Sequence, residues 1–113
     1  MELKADFPLI QSFPYDHKLK PTLTVPSMGM PEISIMEGQV LNKETVSLQF
    51  GATGNIEEWK IQMPEDGSSD YFFIVNDREF KRRLRNASVL RVNVLLYQNG
   101  EQTIYFSTSG FKL

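Results

Sequence analysis

Apolar and polar residues alternate at every second position along most of this chain. Glu32-Ile33-Ser34-Ile35-Met36-Glu37 alternates apolar and polar, which is the period of a strand with one buried face. Thr45 to Phe50 repeats the pattern with Val46, Leu48 and Phe50 on one side, and Glu58 to Met63 repeats it with Trp59, Ile61 and Met63 inward. Leu23-Thr24-Val25 predicts a short strand between prolines, and the continuous apolar run Tyr71 to Val75 predicts a buried one. Two long strands close the chain. Val89 to Tyr97 places Leu90, Val92, Val94 and Leu96 on one side, and Gln102 to Ser107 opposes Ile104 and Phe106 to Thr103 and Tyr105.

Turn chemistry separates these segments. Gly38 and Asn42-Lys43 stand before the Thr45 strand, Gly51, Gly54 and Asn55 after it, and a loop rich in Pro, Asp, Gly and Ser spans Pro64 to Asp70. Asn99-Gly100 predicts a type I′ hairpin turn, because both central residues of that turn need positive φ. Gly110 is expected to break the last strand before Phe111.

One segment has helical spacing. Asn76 or Asp77 is the expected N-cap, and Asn76 with Glu79 three residues later forms a variant capping box. Phe80 and Leu84 are four apart and share a face, with Ala87 close behind, and Asn86 or Ser88 ends the segment. The expected fold is therefore mainly β: an antiparallel β-sandwich or barrel of about seven strands with one short α-helix. It forms a single domain over 1–113. Residues 1–31 hold Pro8, Pro14, Pro21, Pro26 and Pro31, five of the six prolines. They predict an extended or irregular N-terminal arm packed on the domain, anchored by Phe7, Leu9, Ile10, Phe13 and Tyr15.

Composition narrows the function. With 113 residues, 41% hydrophobic and 23% charged, the chain is ordinary for one small domain. It has no cysteine, which excludes disulfides and thiolate zinc sites. Its formal net charge of −2 gives no overall field to attract nucleic acid or an anionic membrane. Neither is expected as a partner. No apolar run approaches a membrane span, and Met1 to Phe13 lacks the pattern of a signal peptide.

No catalytic constellation emerges. The one histidine, His17, lies beside Asp16 in the arm and reads as solvent-facing, and no G-x-S-x-G elbow is present. Glu65 to Asp70 has carboxylates but not the ligand spacing of a calcium loop, so it reads as a solvated turn. Glu57 and Glu58 are neighbours on a strand and point to opposite faces, so they do not converge on one bond. No enzymatic activity and no cofactor or metal are expected. The sharpest local feature is basic: Arg78, Lys81, Arg82, Arg83 and Arg85 crowd the helix, and Arg91 follows soon after. With Phe80 and Leu84 inward, Arg78, Lys81, Arg82 and Arg85 are expected to project outward as a partner-binding face.

From Thr45 onward the order of features carries a resemblance. A strand ends in Gln49-Phe50-Gly51, and Trp59 opens the next. Phe72-Phe73 precede a helix with Phe80 and Leu84. Ala87-Ser88 and Leu90 enter a long strand, and Phe106-Ser107-Thr108-Ser109-Gly110-Phe111 closes the chain. This resembles the C-terminal β-rich domain of VasI/TagO-type accessory proteins of bacterial type VI secretion, over roughly the last 70 residues. That family usually carries cysteine, so its disulfide has no counterpart here. The resemblance implies a periplasmic or envelope accessory protein without catalytic residues. The expected function is a non-enzymatic protein-binding accessory or adaptor domain. The alternative is a small-ligand or carbohydrate-binding β-module using Tyr71, Tyr97 and Tyr105, which read equally well as buried or cross-strand aromatics.

Overall fold

The computed structural model describes residues 1–109, so the expected break at Gly110 lies outside the described residues. Strand formation follows the alternation closely. The strands are β1 (Glu2–Lys4), β2 (Thr22–Thr24), β3 (Glu32–Ser34), β4 (Thr45–Phe50), β5 (Ile56–Gln62), β6 (Tyr71–Ile74), β7 (Val89–Leu96) and β8 (Gly100–Ser107), with helix α1 (Asp77–Arg85) between β6 and β7. β1 joins the about seven strands expected. It comes from the arm, which thus supplies two strands, β1 and β2, to the sheet itself.

The strands form one sheet in the order β1-β2-β3-β6-β5-β4-β7-β8, and every neighbouring pair is antiparallel. The two ends of the sheet curl towards each other. Asp6 N–H donates to the Tyr105 carbonyl at 2.8 Å, and Ser107 Oγ donates to the Asp6 carboxylate at 3.0 Å. The result is a nearly closed barrel. Its interior is filled by side chains that the alternation assigned inward, including Leu23, Ile33, Leu48, Leu90, Val92 and Phe106, together with Phe72 and Ile74 of the apolar run, all at 0% exposure. Barrels of eight strands are commonly filled by such inward side chains.

Besides the early end of the strand expected over Glu32–Glu37, which stops at Ser34, three details differ from expectation. Tyr71 to Val75 is buried on one face only: Phe72 and Ile74 are inside while Tyr71, Phe73 and Val75 are half-buried, because the sheet is antiparallel and has a wet side. The β7–β8 turn is not built on Asn99-Gly100 as a I′ pair. Leu96 pairs with Gly100, and the left-handed residues are Gln98 (φ 65°) and Gly100 (φ 70°). Asn99 instead bonds the Tyr97 carbonyl through its side chain and holds the arm at Ser12. Third, of the expected arm anchors only Leu9 is buried and Tyr15 half-buried, whereas Phe7, Ile10 and Phe13 are 65%, 84% and 82% exposed.

The helix begins where the capping pattern placed it. Asn76 accepts from Glu79 N–H through its side chain, and Asn86 N–H closes the last turn on Arg83 and Leu84 carbonyls. A nine-residue helix is marginal alone, so packing must hold it. Phe80 and Leu84 are both at 0% exposure. The Phe80 ring meets Phe50 at 5.8 Å and Trp59 at 6.1 Å, both edge-on, which seats α1 against the end of β4 and the middle of β5.

Candidate site: the arginine ridge of helix α1

At 100° per residue, Phe80 and Leu84 centre the inward stripe of α1, and Arg78, Arg82 and Arg85 fall opposite them. The structure bears this out, since all three are exposed. They stand at i, i+4 and i+7, so their Cα atoms climb the helix over about 10 Å. Arg82 is tied to Glu79 one turn back through an ion pair, while no ion pair engages Arg78 or Arg85 among the described residues.

Lys81 does not project outward as expected. It is buried, with 7% exposure. Its ammonium donates to the Gly29 carbonyl at 3.0 Å and reaches Asp77 Oδ2 at 3.5 Å. The physical reason is position: Lys81 lies at the margin of the inward stripe, and its four-carbon stem crosses apolar surface to deliver the charge to a loop carbonyl. That bond fastens the loop Ser27–Gly29 to the helix. Between them lies an open cleft of about 490 Å³, floored by Lys81 and walled by Met28 on one side and Arg78, Arg82 and Arg85 on the other. Met28 is 87% exposed.

Arg83 faces the other way. Its guanidinium forks onto the Glu57 carboxylate at 3.0 and 2.6 Å and lies 4.6 Å from the centre of the Phe50 ring. Glu57 also accepts from Trp59 Nε1–H at 3.1 Å. These hydrogen bonds, Arg83 first, hold the Glu57 carboxyl below the usual carboxylate range. Arg83 is thus a structural clasp between helix and barrel. Arg91 belongs to β7, where its guanidinium sits 5.5 Å from the Tyr105 ring centre, and takes no part in the ridge.

The other candidate residues are dispersed. His17 is exposed, and Glu37 grips it twice: one carboxylate oxygen accepts from its backbone N–H at 2.8 Å, and the other meets Nδ1 at 2.7 Å. That hydrogen bond raises the His17 pKa. Asp66 in the Pro64–Asp70 loop accepts from Ser68 N–H at 2.9 Å, the arrangement of an ordinary turn. Tyr71 stacks edge-on against Phe73 at 5.8 Å, while Tyr105 meets Phe7 edge-on at 6.3 Å on a different strand. Phe7, Ile10 and Tyr105 line an open groove between the arm and β8. Hydrophobicity alone pointed Phe7 and Ile10 to the core. Their exposure comes from polar fastenings, with Gln102 holding both the N–H and the carbonyl of Ile10.

Comparison with family models, with curated proteins and with solved structures finds no match to this chain.

Proposed function

We propose that this domain is a non-enzymatic protein-binding module whose partner docks on the arginine ridge of α1. One observation carries the reading: Arg78, Arg82 and Arg85 share the exposed face of α1, and no ion pair engages Arg78 or Arg85 among the described residues. Arg78 stands in the first turn, where the helix dipole disfavours a cation, while Arg82 and Arg85 lie in the last turn, where it favours one. Exposed guanidinium groups that no carboxylate of the fold engages are available to anionic groups of a partner. The filled barrel interior adds support, because it leaves the outer surface as the place for recognition. The resemblance of the segment from Thr45 onward to type VI secretion accessory domains supports a setting in a bacterial envelope or secretion system.

The test compares affinity capture by the wild-type domain and by Arg82→Glu/Arg85→Glu in extracts of the organism that makes it. Exposed charges contribute roughly 0–1 kcal/mol each, so the variant is expected to keep its fold and lose the specific partner. Capture of the same partner by both proteins would refute the assignment of the ridge. A second reading, binding of a small ligand or carbohydrate, is favoured by the groove where Phe7 meets Tyr105. Glycan-array binding abolished by Tyr105→Ala would support it, and a blank array at high protein concentration would remove it.

A further inference from the structure

Two walls of the cleft at α1 differ in chemistry, and together they describe an occupant. One wall is cationic on balance, with the guanidinium groups of Arg78, Arg82 and Arg85 beside the Asp77 carboxylate and with Arg82 paired to Glu79. The other is the loop Ser27–Gly29, whose outermost side chain is the apolar Met28. We propose that this cleft takes an extended, acidic segment of a partner protein, with carboxylates on the arginine ridge and apolar side chains against Met28. This rests on the protein-binding reading above and names the partner's chemistry.

The spacing suits an extended chain. Arg78 and Arg82 are separated by about 6 Å along the helix axis, and successive same-side residues of a strand are about 6.8 Å apart. Carboxylates at alternate positions therefore meet Arg78 and Arg82, and the residues between them turn to the opposite wall, where Met28 stands; Arg85 lies only about 4.5 Å beyond Arg82 along the axis. A thioether side chain adapts to whichever apolar residue arrives. The cleft is also held ready. The Lys81 ammonium is buried and bonded to the Gly29 carbonyl at 3.0 Å, so the loop is already fixed to the helix before a partner comes. Lys81 is thus a positioning residue, its charge consumed by the Gly29 carbonyl and Asp77.

Polyphosphates fit the site less well. Only three arginines face outward, and the carboxylates of Asp77 and Glu79 stand among them. Basic surfaces that hold anionic membranes typically gather 4–8 Lys or Arg, and a net charge of −2 repels a dense polyanion at long range. A peptide that carries a few carboxylates between apolar residues meets both walls with less of that repulsion, because its charge is sparser.

The experiment measures fluorescence anisotropy of the whole chain against four probes. They are a labelled, end-blocked ten-residue peptide alternating glutamate with leucine, its glutamine-for-glutamate counterpart, a ten-nucleotide oligothymidine, and vesicles of phosphatidylserine with phosphatidylcholine. The glutamate peptide is expected to bind at least tenfold more tightly than the glutamine peptide and to weaken as salt rises. Arg78→Gln/Arg85→Gln is expected to lose at least tenfold, and Met28→Ser at least threefold, both with an unchanged melting temperature. Equal binding of the two peptides, or insensitivity to Met28→Ser, overturns the inference. Should neither peptide bind while Arg82→Glu/Arg85→Glu still abolishes capture of a protein partner, the partner's chemistry is wrong and the protein-binding reading survives. Arginine-dependent binding of the oligonucleotide or the vesicles, with no peptide binding, overturns both.

Discussion

Replacing Phe80 by alanine tests the idea that one ring holds α1 to the barrel. Phe80 is at 0% exposure and sits between Phe50 and Trp59. Removing it forfeits about 1.5–3 kcal/mol of apolar transfer. An unrelaxed hole of roughly 100 Å³, at about 24 cal/mol per Å³, adds about 2.4 kcal/mol. The expected loss is therefore about 4–5 kcal/mol, at the upper end of measured Phe→Ala changes. That is a large part of the 5–15 kcal/mol typical of a whole domain. With an unfolding entropy near 2.1 cal/mol/K per residue, it lowers Tm by about 15–20 °C. Urea unfolding followed by fluorescence is the assay, and the single tryptophan makes it direct: Trp59 lies against Phe80, so its emission should shift to the red in the folded variant. A loss below about 1.5 kcal/mol with unchanged emission would mean that the cavity collapses freely, short of any measured Phe→Ala cost, and that α1 is held by something other than this ring.

Other perturbations separate the remaining interactions. Gly54→Ala places a Cβ 2.2 Å from the Phe50 carbonyl oxygen, a backbone atom that cannot swing aside, and is expected to lower stability by at least about 2 kcal/mol in thermal unfolding. Gly38→Ala meets only the yielding end of Gln11 but must hold φ near 102°, so a loss of about 1–2 kcal/mol is expected from backbone strain. The Glu57 pKa is depressed in the folded state by Arg83, so this pair stabilises the domain above the ordinary carboxylate pKa and fails as pH falls through the lower folded value. Arg83→Gln should accordingly flatten the fall in Tm between pH 5 and 3. The His17 pKa is raised by Glu37, so that contact supports the arm below the ordinary histidine value and is lost as pH rises through the folded one. An NMR titration of the His17 ring should return to the ordinary value in Glu37→Gln.

The strands were legible because the sheet is antiparallel and one-sided: Val46, Leu48 and Phe50, then Leu90, Val92, Val94 and Leu96, show their burial as plain alternation. The cap at Asn76 was legible because its chemistry is local, within three residues. What escaped is what depends on distant partners. The burial of Lys81 follows from a carbonyl 52 positions earlier in the chain. Phe7, Ile10 and Phe13 look like core residues by composition, but the strands already fill the interior, and the arm's course is set by Gln102, Asn99 and Glu37 instead. The hairpin turn escaped because a glutamine, Gln98, takes the left-handed conformation that favours glycine or asparagine. The ridge arginines were legible as a charged stripe, while their cleft was not, since its second wall comes from a loop some fifty residues away.

The seam that closes the barrel bears on how the protein is made. Asp6 meets Ser107 across 101 residues of chain, and Ile10 meets Gln102 across 92. A ribosome delivers residues in order, so β1 and the arm wait without their final neighbour until β8 has been made. β3 has to wait for β6, and the helix cannot dock until β4 and β5 have brought Phe50 and Trp59 together. Contacts this distant in sequence slow folding. They leave nascent apolar segments, among them Leu23-Thr24-Val25 and Ile33-Ser34-Ile35, open to association with other chains during translation. Pro21, Pro26 and Pro31 border these segments, and proline at such borders interrupts the stacking of like strands. The prolines of the arm thus act during the interval before the barrel is shut, protecting the chain while it is still unfinished.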